Sequence, residues 1–329
     1  MRYKVLLNKE IHPQAMDLLK QHFDILIADN PKEEALLKKC AEVSAIITRT
    51  SSYINKKIIE ASPKLKVISK TGVGVDNIDV FVATEKGILI CNVPEVNSIS
   101  VAEHTVALIL AVAKDLVVMD KAVRKSEWSK RYSLIPVELK QKTLGIIGFG
   151  SIGKKVAAMC KGFQMCILIY DPYLTSNAIS KQSVSLVSNL ETLFQKSDII
   201  SIHVPYNEKT HHLVNSSLLR MSKKGAILIN TSRGQIIDEK ALFKSLKNGP
   251  LSAAGLDVFE EEPVNISNPL LNLDNVILTP HSAALTKECS ARIAVEAVQA
   301  VIDVLNGKKP RSVFNEESLR KKGFVDFFI

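Results

Sequence analysis

The sequence has no paired-cysteine motif. Its five cysteines are odd in number, form no C-x-x-C pair and lie mostly within apolar segments, so their spacing does not predict a disulfide framework. Reduced thiols of this kind are typical of a cytoplasmic protein, which is the location we expect. The five residues are Cys40, Cys91, Cys160, Cys166 and Cys289.

The sequence also lacks a long uncharged hydrophobic run. The amino-terminal stretch MRYKVLLNKE becomes charged again too soon to supply the apolar region of a signal peptide. The most apolar segment, residues 101–119, is interrupted by Glu103, His104, Lys114 and Asp115. It therefore falls short of the roughly 18 uncharged residues that a membrane span needs. We expect a buried helix there, with neither secretion nor a membrane partner.

Charge is not segregated along the chain. The formal net charge is +9 and the pI is about 9.2, but the 43 basic residues are scattered among 34 acidic ones. A scattered excess favours small anionic substrates slightly and does not predict a nucleic-acid partner. The chain also shows no internal repeat with a period of roughly 20 to 50 residues, and no low-complexity segment.

Short runs of Val, Ile and Leu alternate with longer amphipathic segments. This pattern predicts parallel sheets covered by helices on both faces, and 329 residues with 46% hydrophobic content suffice for two such domains. The fold class expected is α/β, with two doubly wound parallel-sheet domains. The predicted strands are Lys4–Asn8, Asp24–Ala28, Ala45–Thr48, Lys66–Lys70 and Ile88–Asn92, then Thr143–Gly148, Cys166–Asp171, Ile199–Val204, Ala226–Asn230, Ser252–Asp257 and Asn275–Pro280.

Two long helices are predicted at the joins between the strand series. Ser100 with Glu103 three residues later has the spacing of a capping box, and predicts a helix that runs to about Lys125. A second helix is expected over residues 286–305. After it the chain continues as a basic, partly aromatic tail, residues 308–329.

Residues 144–156 read LGIIGFGSIGKKV and contain the pattern G-x-G-x-x-G between a predicted strand and a predicted helix. Gly148 permits the tight turn, Gly150 lets a pyrophosphate approach the backbone, and Gly153 lets helix and strand pack closely. Asp171 ends the next strand, where a carboxylate binds the adenosine ribose hydroxyls and repels the extra phosphate of NADP. The motif therefore predicts a dinucleotide site that prefers NAD.

Three polar residues follow later strands. They are Arg233 in NTSRG, Glu262 in GLDVFEEEP and His281 in TPHSA. Singly, each has an ordinary structural explanation in a turn, a solvated loop or a core. Together, after a dinucleotide motif, they suit hydride transfer on a 2-hydroxy acid: the guanidinium binds the carboxylate, the imidazole exchanges a proton, and the carboxylate holds the imidazole.

Six motifs in order resemble the D-isomer specific 2-hydroxyacid dehydrogenase family, over about residues 3 to 315. They are TGVGVDNID at 71–79, VAEHT at 101–105, LGIIGFGSIGKKVA at 144–157, NTSRG at 230–234, LDVFEEEP at 256–263 and TPHSA at 279–283. The resemblance implies a Rossmann NAD-binding domain, residues 98–285, inserted in a flavodoxin-like substrate domain, residues 1–97 and 286–329, with a cleft between them.

The resemblance also assigns roles. Arg233 would bind the substrate carboxylate, His281 would exchange the proton, and Glu262 before Pro263 would support His281, with Glu261 as the alternative partner and Glu260 solvated. The backbone N–H groups of Val73, Gly74 and Val75 would bind substrate, and no metal is expected. The NAD contacts implied are Gly148, Gly150, Ser151, Ile152, Gly153, Asp171, Val204, Pro205, Thr231, Ser232, Arg233, Asp257, His281 and Ala283.

Two basic residues bear on the substrate. In the phosphoglycerate branch of the family, basic side chains at places such as Arg49 and Lys70 face the substrate phosphate, although both could equally be surface residues of a basic protein. The hypothesis is an NAD-dependent D-3-phosphoglycerate dehydrogenase. A hydroxypyruvate or glyoxylate reductase and an NAD-sensing module similar to corepressors are the alternatives. The resemblance further implies a homodimer, with the helix near 101–120 as its contact unless that helix is buried within one subunit.

Overall fold

The apolar runs of the sequence form two separate parallel sheets. The structure is a computed structural model that describes residues 2–175 and 184–324. Two compact units are found, one from Met1–Asn97 with Leu285–Ile329 and the other from Ser98–Ala284. We call them the first and the second unit. The domain boundaries expected from the sequence differ from these unit boundaries by one residue, because Leu285 belongs to the first unit.

The strands follow the predicted positions closely: their ends differ from the predicted ones by at most two residues, and one strand is added. Strand β8 was not predicted because it has only two residues, one of them a serine. In chain order the strands are β1 (Lys4–Leu7), β2 (Asp24–Ile27), β3 (Ala45–Thr48), β4 (Val67–Lys70), β5 (Leu89–Cys91), β6 (Thr143–Ile147), β7 (Cys166–Tyr170), β8 (Ser185–Leu186), β9 (Ile199–Ile202), β10 (Ala226–Asn230), β11 (Leu251–Leu256) and β12 (Val276–Leu278).

Helices connect most of the successive strands, as the crossovers of parallel pairing require. Most begin at a residue whose side chain accepts a backbone N–H of the first turn, such as Asn55, Asp79, Asp238 or Thr286. The described helices are α1 (Pro13–His22), α2 (Glu33–Leu37), α3 (Lys56–Glu60), α4 (Val80–Glu85), α5 (Ser98–Ala113), α6 (Leu116–Arg124), α7 (Ser151–Lys161), α8 (Leu190–Lys196), α9 (Ser216–Arg220), α10 (Glu239–Asn248), α11 (Lys287–Leu305) and α12 (Glu316–Lys321).

The first unit contains a five-stranded parallel sheet in the order β2-β1-β3-β4-β5. Apart from the partly exposed β2, its strands are largely buried, which explains their continuous apolar sequences. Val5 and Leu7 pack with α1 and α11 on one face, whereas Leu6 packs with α2, α3 and α4 on the other. In the tail, Asn315 accepts the N–H of Ile90, and α12 therefore lies against this sheet.

The second unit contains a seven-stranded parallel sheet in the order β12-β11-β10-β9-β6-β7-β8. Ile146 packs with α5 and α7 on one face, and Ile147 packs with α8, α9 and α10 on the other. Since all the strands are parallel, the loops after β6, β10, β11 and β12 leave the same edge of the sheet. These loops carry the glycine motif, Arg233, Glu262 and His281.

The helix predicted from residue 100 to residue 125 is two helices, and its predicted start is wrong. Helix α5 begins at Ser98, so Ser100 lies inside it and does not cap it. Asp115 separates α5 from α6 in a left-handed conformation with φ +51, which a regular helix does not accommodate. Lys114 and Asp115 interrupt the apolar segment at this point of the sequence, but apolar residues resume at Leu116, so the sequence was interpreted as one helix.

Helix α5 is buried within its own unit, whereas the segment after it is exposed. Residues such as Leu108 and Ile109 pack in the sheet core, so burial explains most of the apolar character of α5. The exposed apolar side chains of this region belong to α6 and the following 3₁₀ helix and loop. They are Leu116, Val117, Val123, Trp128, Tyr132, Ile135 and Val137, and we call them the 116–137 surface.

The cysteines are free thiols. Four of them are buried and Cys166 is exposed, and burial raises the pKa of Cys91 and of Cys160 to about 12. Across residues 2–175 and 184–324, every helix is too short or too polar to cross a bilayer.

Candidate active site

The glycine loop joins β6 to α7 and can only be built with glycine at two positions. Gly148 has φ +90, and a Cβ placed there would lie 2.8 Å from the carbonyl oxygen of His203. A Cβ on Gly153 would overlap with the carbonyl oxygen of Gly148. Gly150, directly before α7, has no atom within 4 Å of a Cβ position. The loop therefore presents open space beside a helix N-terminus, as a pyrophosphate requires.

Asp171 follows β7 and lies beside the glycine loop. Its Oδ2 accepts the N–H of Phe149 at 2.9 Å and its Oδ1 accepts the N–H of Tyr173 at 3.0 Å. The carboxylate is partly exposed. Its position after the second strand of the unit, together with the open cradle over Gly150, fits the adenosine end of a dinucleotide.

The other predicted cofactor residues lie around the same edge of the sheet. Ser151 and Ile152 are the first two residues of α7, and both are partly exposed. Val204 lies against the glycine turn, since its Cγ1 is 2.8 Å from a Cβ built on Gly148, and Pro205 follows it. Thr231 is buried, and its hydroxyl is 2.8 Å from that of Thr105 in α5.

Asn230 shapes the loop that carries Arg233. Its Nδ2 donates to the carbonyl oxygen of Arg233 at 2.9 Å, and its Oδ1 accepts the N–H of Ser232 at 3.0 Å. The guanidinium of Arg233 donates to the carbonyl oxygen of Ser232 at 2.7 Å, and the side chain is partly buried. Asn230 was not predicted as a site residue, although it opens the NTSRG motif.

Gly234 brings the arginine loop against the glutamate loop. A Cβ on Gly234 would overlap with the peptide group between Phe259 and Glu260. No side chain fits this position without moving the backbone. This close backbone contact explains why a glycine directly follows Arg233. The sequence shows the glycine but not the peptide group that it contacts.

Glu262 and His281 form a direct hydrogen bond. Glu262 Oε2 is 2.7 Å from His281 Nδ1, and Glu262 Oε1 accepts the N–H of Phe259 at 3.1 Å. The two side chains are about one third exposed, at 32% and 36%. The imidazole is thus fixed through one nitrogen, while Nε2 has no hydrogen-bond partner that we identify within the described residues.

The pKa of Glu262 lies below its ordinary value. Burial acts in the opposite direction and is the largest single influence, since it raises the pKa. The hydrogen bond and charge of His281, the N–H of Phe259 and the charge of Arg233 together outweigh it. Glu262 is therefore ionised at neutral pH, and Arg233 is near enough for its charge to act on this carboxylate.

The neighbouring acid Glu260 was expected to be solvated, but its carboxylate, although 36% exposed, is also bonded by the protein. Its Oε1 accepts the N–H of Glu239 at 2.9 Å and lies 3.0 Å from His212 Nε2. In return, Glu239 Oε1 accepts the N–H of Glu260 at 2.7 Å. Glu261 is exposed. Of the three adjacent acids, Glu262 is the one bonded to His281.

Asp257 is fully buried and lies at the carboxyl end of β11. It accepts hydrogen bonds from the Thr279 hydroxyl at 2.5 Å, from the Ser282 N–H at 2.9 Å and from the Ala283 N–H at 2.9 Å. The carbonyl oxygen of Asp257 accepts the N–H of His281 at 2.7 Å. The predicted cofactor contact Asp257 is therefore an anchor of the turn that contains His281 and Ala283.

In the first unit, Lys70 is the last residue of β4 and Arg49 directly follows the adjacent β3, but the two differ in exposure. Lys70 is only 3% exposed, and its Nζ is 3.4 Å from the hydroxyl of Thr50. This burial contradicts the interpretation of Lys70 as a surface lysine. Arg49 is partly exposed and donates to the carbonyl oxygen of Glu10 at 3.4 Å.

The loop after β4 contains the predicted substrate-binding backbone. Gly72 begins it with φ +156, Val73 is exposed and Val75 is buried. Asn92 Nδ2 donates to the carbonyl oxygen of Val73 at 2.8 Å, so this carbonyl is engaged by the protein. Gly74, between the two valines, is partly exposed.

Within 2–175 and 184–324 there is no group of three or more His, Cys, Asp or Glu side chains arranged to hold an ion.

Comparison with known proteins places these loops in a family. Residues 106–283 match the model of the D-isomer specific 2-hydroxyacid dehydrogenase, NAD binding domain. The chain is 41% identical to a D-3-phosphoglycerate dehydrogenase of Methanocaldococcus jannaschii over 95% of its own length and 59% of that protein. It is 40% identical to a glyoxylate reductase of Aeropyrum pernix over 98% of its own length and 99% of that protein. The chain thus spans about three fifths of the phosphoglycerate dehydrogenase.

Solved structures agree with this placement. A D-lactate dehydrogenase from Aquifex aeolicus, complexed with NAD and lactic acid, matches with a TM-score of 0.83 and 31% identity over 97% of this chain and 98% of that chain. From the extent of these matches, the chain belongs to the D-isomer specific 2-hydroxyacid dehydrogenase family, and its residues 106–283 are the NAD-binding domain of that family.

Proposed function

We propose that this protein is an NAD-dependent D-2-hydroxyacid dehydrogenase and that its substrate is D-3-phosphoglycerate. The observation that carries the proposed reaction is the 2.7 Å hydrogen bond between Glu262 and His281, with the charge of Arg233 acting on the same carboxylate. An ionised acid, an imidazole and a guanidinium in one place suit a carboxylate-bearing substrate that gains or loses a proton.

NAD(H) would be held by the glycine loop, the N-terminus of α7 and Asp171, and would accept or supply the hydride. The loop leaves room for a pyrophosphate beside Gly150, and a helix N-terminus provides N–H donors and a favourable dipole. A carboxylate at Asp171 favours NAD over NADP because it repels a 2′-phosphate.

His281 would exchange the proton through Nε2. Its Nδ1 faces the carboxylate of Glu262, so the N–H on this nitrogen is donated and Nε2 is directed to the substrate oxygen. In reduction the imidazolium gives a proton to the carbonyl oxygen, and in oxidation the neutral imidazole takes it back. Glu262 remains ionised throughout and stabilises the charged form of His281.

Arg233 would bind the substrate carboxylate by two parallel hydrogen bonds, a geometry that a guanidinium provides and an ammonium does not. The loop that presents it is fixed by Asn230 and by the backbone contact of Gly234. The N–H groups of Val73, Gly74 and Val75 are proposed to bind the substrate as well.

The phosphate assignment is supported by Lys70 and Arg49. Lys70 is only 3% exposed, so its charge does not face solvent. A buried cation suits a site that receives an anion. The similarity to the phosphoglycerate dehydrogenase of M. jannaschii points in the same direction.

A second candidate is glyoxylate or hydroxypyruvate reduction. The observation in its favour is the A. pernix glyoxylate reductase, which this chain matches over nearly the full length of both proteins. The proposed roles of Arg233, Glu262 and His281 are the same for either substrate. The two candidate substrates therefore differ in the group at the end of the oxo acid away from its carboxylate.

We also propose a homodimer in which the 116–137 surface is the contact. Trp128, Tyr132 and Ile135 are exposed by 62%, 75% and 86%, and apolar exposure concentrated in one segment is typical of an interaction surface.

The proposed reaction predicts that Arg233→Ala and His281→Ala each lower turnover of oxo acids by on the order of 10²-fold or more, because substrate positioning or proton transfer is lost. NADH binding, measured by fluorescence titration, should remain. Arg220→Ala is the matched control, since Arg220 is an arginine of the same unit that bonds to Ser216 and Ser217. Unchanged turnover in both site variants would reject the assignment.

The glutamate pair 261 and 262 provides a second prediction. Glu262→Gln should lower turnover by roughly 10²-fold, because an amide does not supply the charged oxygen that faces His281 Nδ1. Glu261→Gln should behave as the unmodified protein. Equal losses in the two variants would mean that their shared loop, not the contact with His281, causes the effect.

Stability offers a further readout for Glu262. Because the folded pKa is lowered, the ionised carboxylate stabilises the fold above the ordinary glutamate pKa, and this contribution disappears as the pH falls through the lowered value. Unfolding by urea at several pH values should therefore show a weaker acid dependence in Glu262→Gln.

The substrate is tested with phosphohydroxypyruvate, hydroxypyruvate, glyoxylate and pyruvate. Lys70→Met should raise the KM for phosphohydroxypyruvate by roughly ten-fold or more, the effect of losing one charge-assisted hydrogen bond, and leave the KM for glyoxylate nearly unchanged. An equal effect on both acids would exclude a phosphate role for Lys70. Loss of absorbance with none of the four acids would favour an NAD-sensing module.

Light scattering tests the dimer. The unmodified protein should have twice the chain mass of 36.2 kDa, and Trp128→Ser combined with Ile135→Ser should shift it toward the single-chain mass. Ile266→Ser is the control, because Ile266 is 90% exposed in the same unit but outside the 116–137 surface. A single-chain mass for the unmodified protein would exclude this contact.

A further inference from the structure

The turn that carries His281 has an unusual backbone. His281 has φ +50, in the left-handed region that non-glycine residues seldom occupy, at a cost of about 1 kcal/mol. Such a conformation persists only where the surroundings hold it. Its N–H donates to the carbonyl oxygen of Asp257 at 2.7 Å, and the following residues Ser282 and Ala283 donate to the Asp257 carboxylate.

The hydrogen bonds around Asp257 show which group donates and which accepts in each contact from His104 to this carboxylate. Each carboxylate oxygen accepts one backbone N–H group, which can only donate. The Thr279 hydroxyl has one proton, and its 2.5 Å bond to Asp257 Oδ1 uses it. Thr279 Oγ1 can then only accept from its remaining neighbour, His104 Nε2, at 3.1 Å.

His104 is therefore the outer donor of the series His104 Nε2–H to Thr279 hydroxyl to Asp257 carboxylate. Its Nε2 is also 3.6 Å from Asp257 Oδ1, and the side chain is 24% exposed. A histidine at this position orients the hydroxyl that in turn orients the buried carboxylate. The side chain of His281 is thus held at Nδ1 by Glu262, and the backbone of His281 is held by this series of hydrogen bonds.

Helix α5 presents two adjacent residues to two different site loops. His104 contacts Thr279 in the loop of His281, and Thr105 contacts Thr231 in the loop of Arg233. The hydroxyl of Thr105 also donates to the carbonyl oxygen of Val101 one turn earlier. One rigid helix therefore fixes the spacing of both loops, which long surface loops do not achieve alone.

We propose that His104 is a positioning residue for His281, acting through Thr279 and Asp257. The proposal rests on the proposed dehydrogenase function, in which His281 exchanges the proton. His104 does not touch the substrate in this scheme. It keeps the imidazole of His281 at the angle where Nε2 meets the substrate oxygen, and displacement of such a group by about 1 Å can cost on the order of 10² in rate.

The primary test compares His104→Leu with His104→Gln. Leucine removes the donor, so kcat for oxo acid reduction should fall roughly ten-fold or more, while NADH affinity and the KM of the oxo acid change by less than about two-fold because Arg233 and the glycine loop are intact. Glutamine keeps an N–H donor near Thr279 and should recover most of the loss. His22→Leu, the same change at an exposed histidine of the first unit, should leave kcat unaltered.

A double-mutant cycle separates positioning from general destabilisation. In a His281→Ala background, His104→Leu should cause no further loss of residual turnover, since there is no imidazole left to position. The same fold-loss in both backgrounds would overturn the proposal. An unchanged kcat in His104→Leu, with His281→Ala inactive, would overturn it as well, whereas full activity of His281→Ala would instead reject the proposed function.

Thr279 supplies an independent variant should His104→Leu not fold. Thr279→Ser keeps the hydroxyl and should retain kcat, whereas Thr279→Val removes it and should reproduce the loss expected for His104→Leu. Thermal unfolding of each variant verifies the fold. Equal kcat in the serine and valine variants would contradict the proposed series of hydrogen bonds.

Discussion

The contact between Glu262 and His281 is the interaction on which the site depends. Burial raises the pKa of Glu262, and the pKa nevertheless falls because an imidazole, a backbone N–H and a guanidinium charge surround one carboxylate. Each of these partners comes from a different place in the sequence. The remaining architecture of the second unit can be understood as the means of bringing them together and keeping them at hydrogen-bond distance.

Backbone contacts provide that means more than side chains do. Parallel strands release their loops at one edge of the sheet, but strand spacing alone does not bring two loops into contact. Gly234 does so, because without a side chain it can lie directly on the peptide of Phe259 and Glu260. Asn230 and Asp257 then close their own loops with hydrogen bonds to backbone groups. Rigid loops cost no reorganisation when the substrate arrives.

Much of the fold could be predicted because its signals are local. Strands buried on both faces show continuous apolar runs, and the glycine motif with Asp171 has a fixed spacing, so the sequence sufficed for both. The engagement of Glu260 and the burial of Lys70 could not be predicted, because each is decided by contacts with residues distant in sequence. Glu260 illustrates this best. In the sequence it is one of three adjacent acids, and only its contacts with Glu239 and His212 in the structure separate it from the other two.

The acids near the end of β11 show how surroundings assign different tasks to one functional group. Asp257 is fully buried and accepts the Thr279 hydroxyl and the N–H groups of Ser282 and Ala283, which makes it an anchor of the turn. Glu260 is bonded to α10 and His212, and Glu261 faces solvent. Only Glu262 combines one oxygen fixed by a backbone N–H with one oxygen directed at His281. Since a carboxylate can orient and charge an imidazole only through an oxygen that faces it, the choice among these four acids follows from hydrogen-bond geometry and not from their order in the sequence.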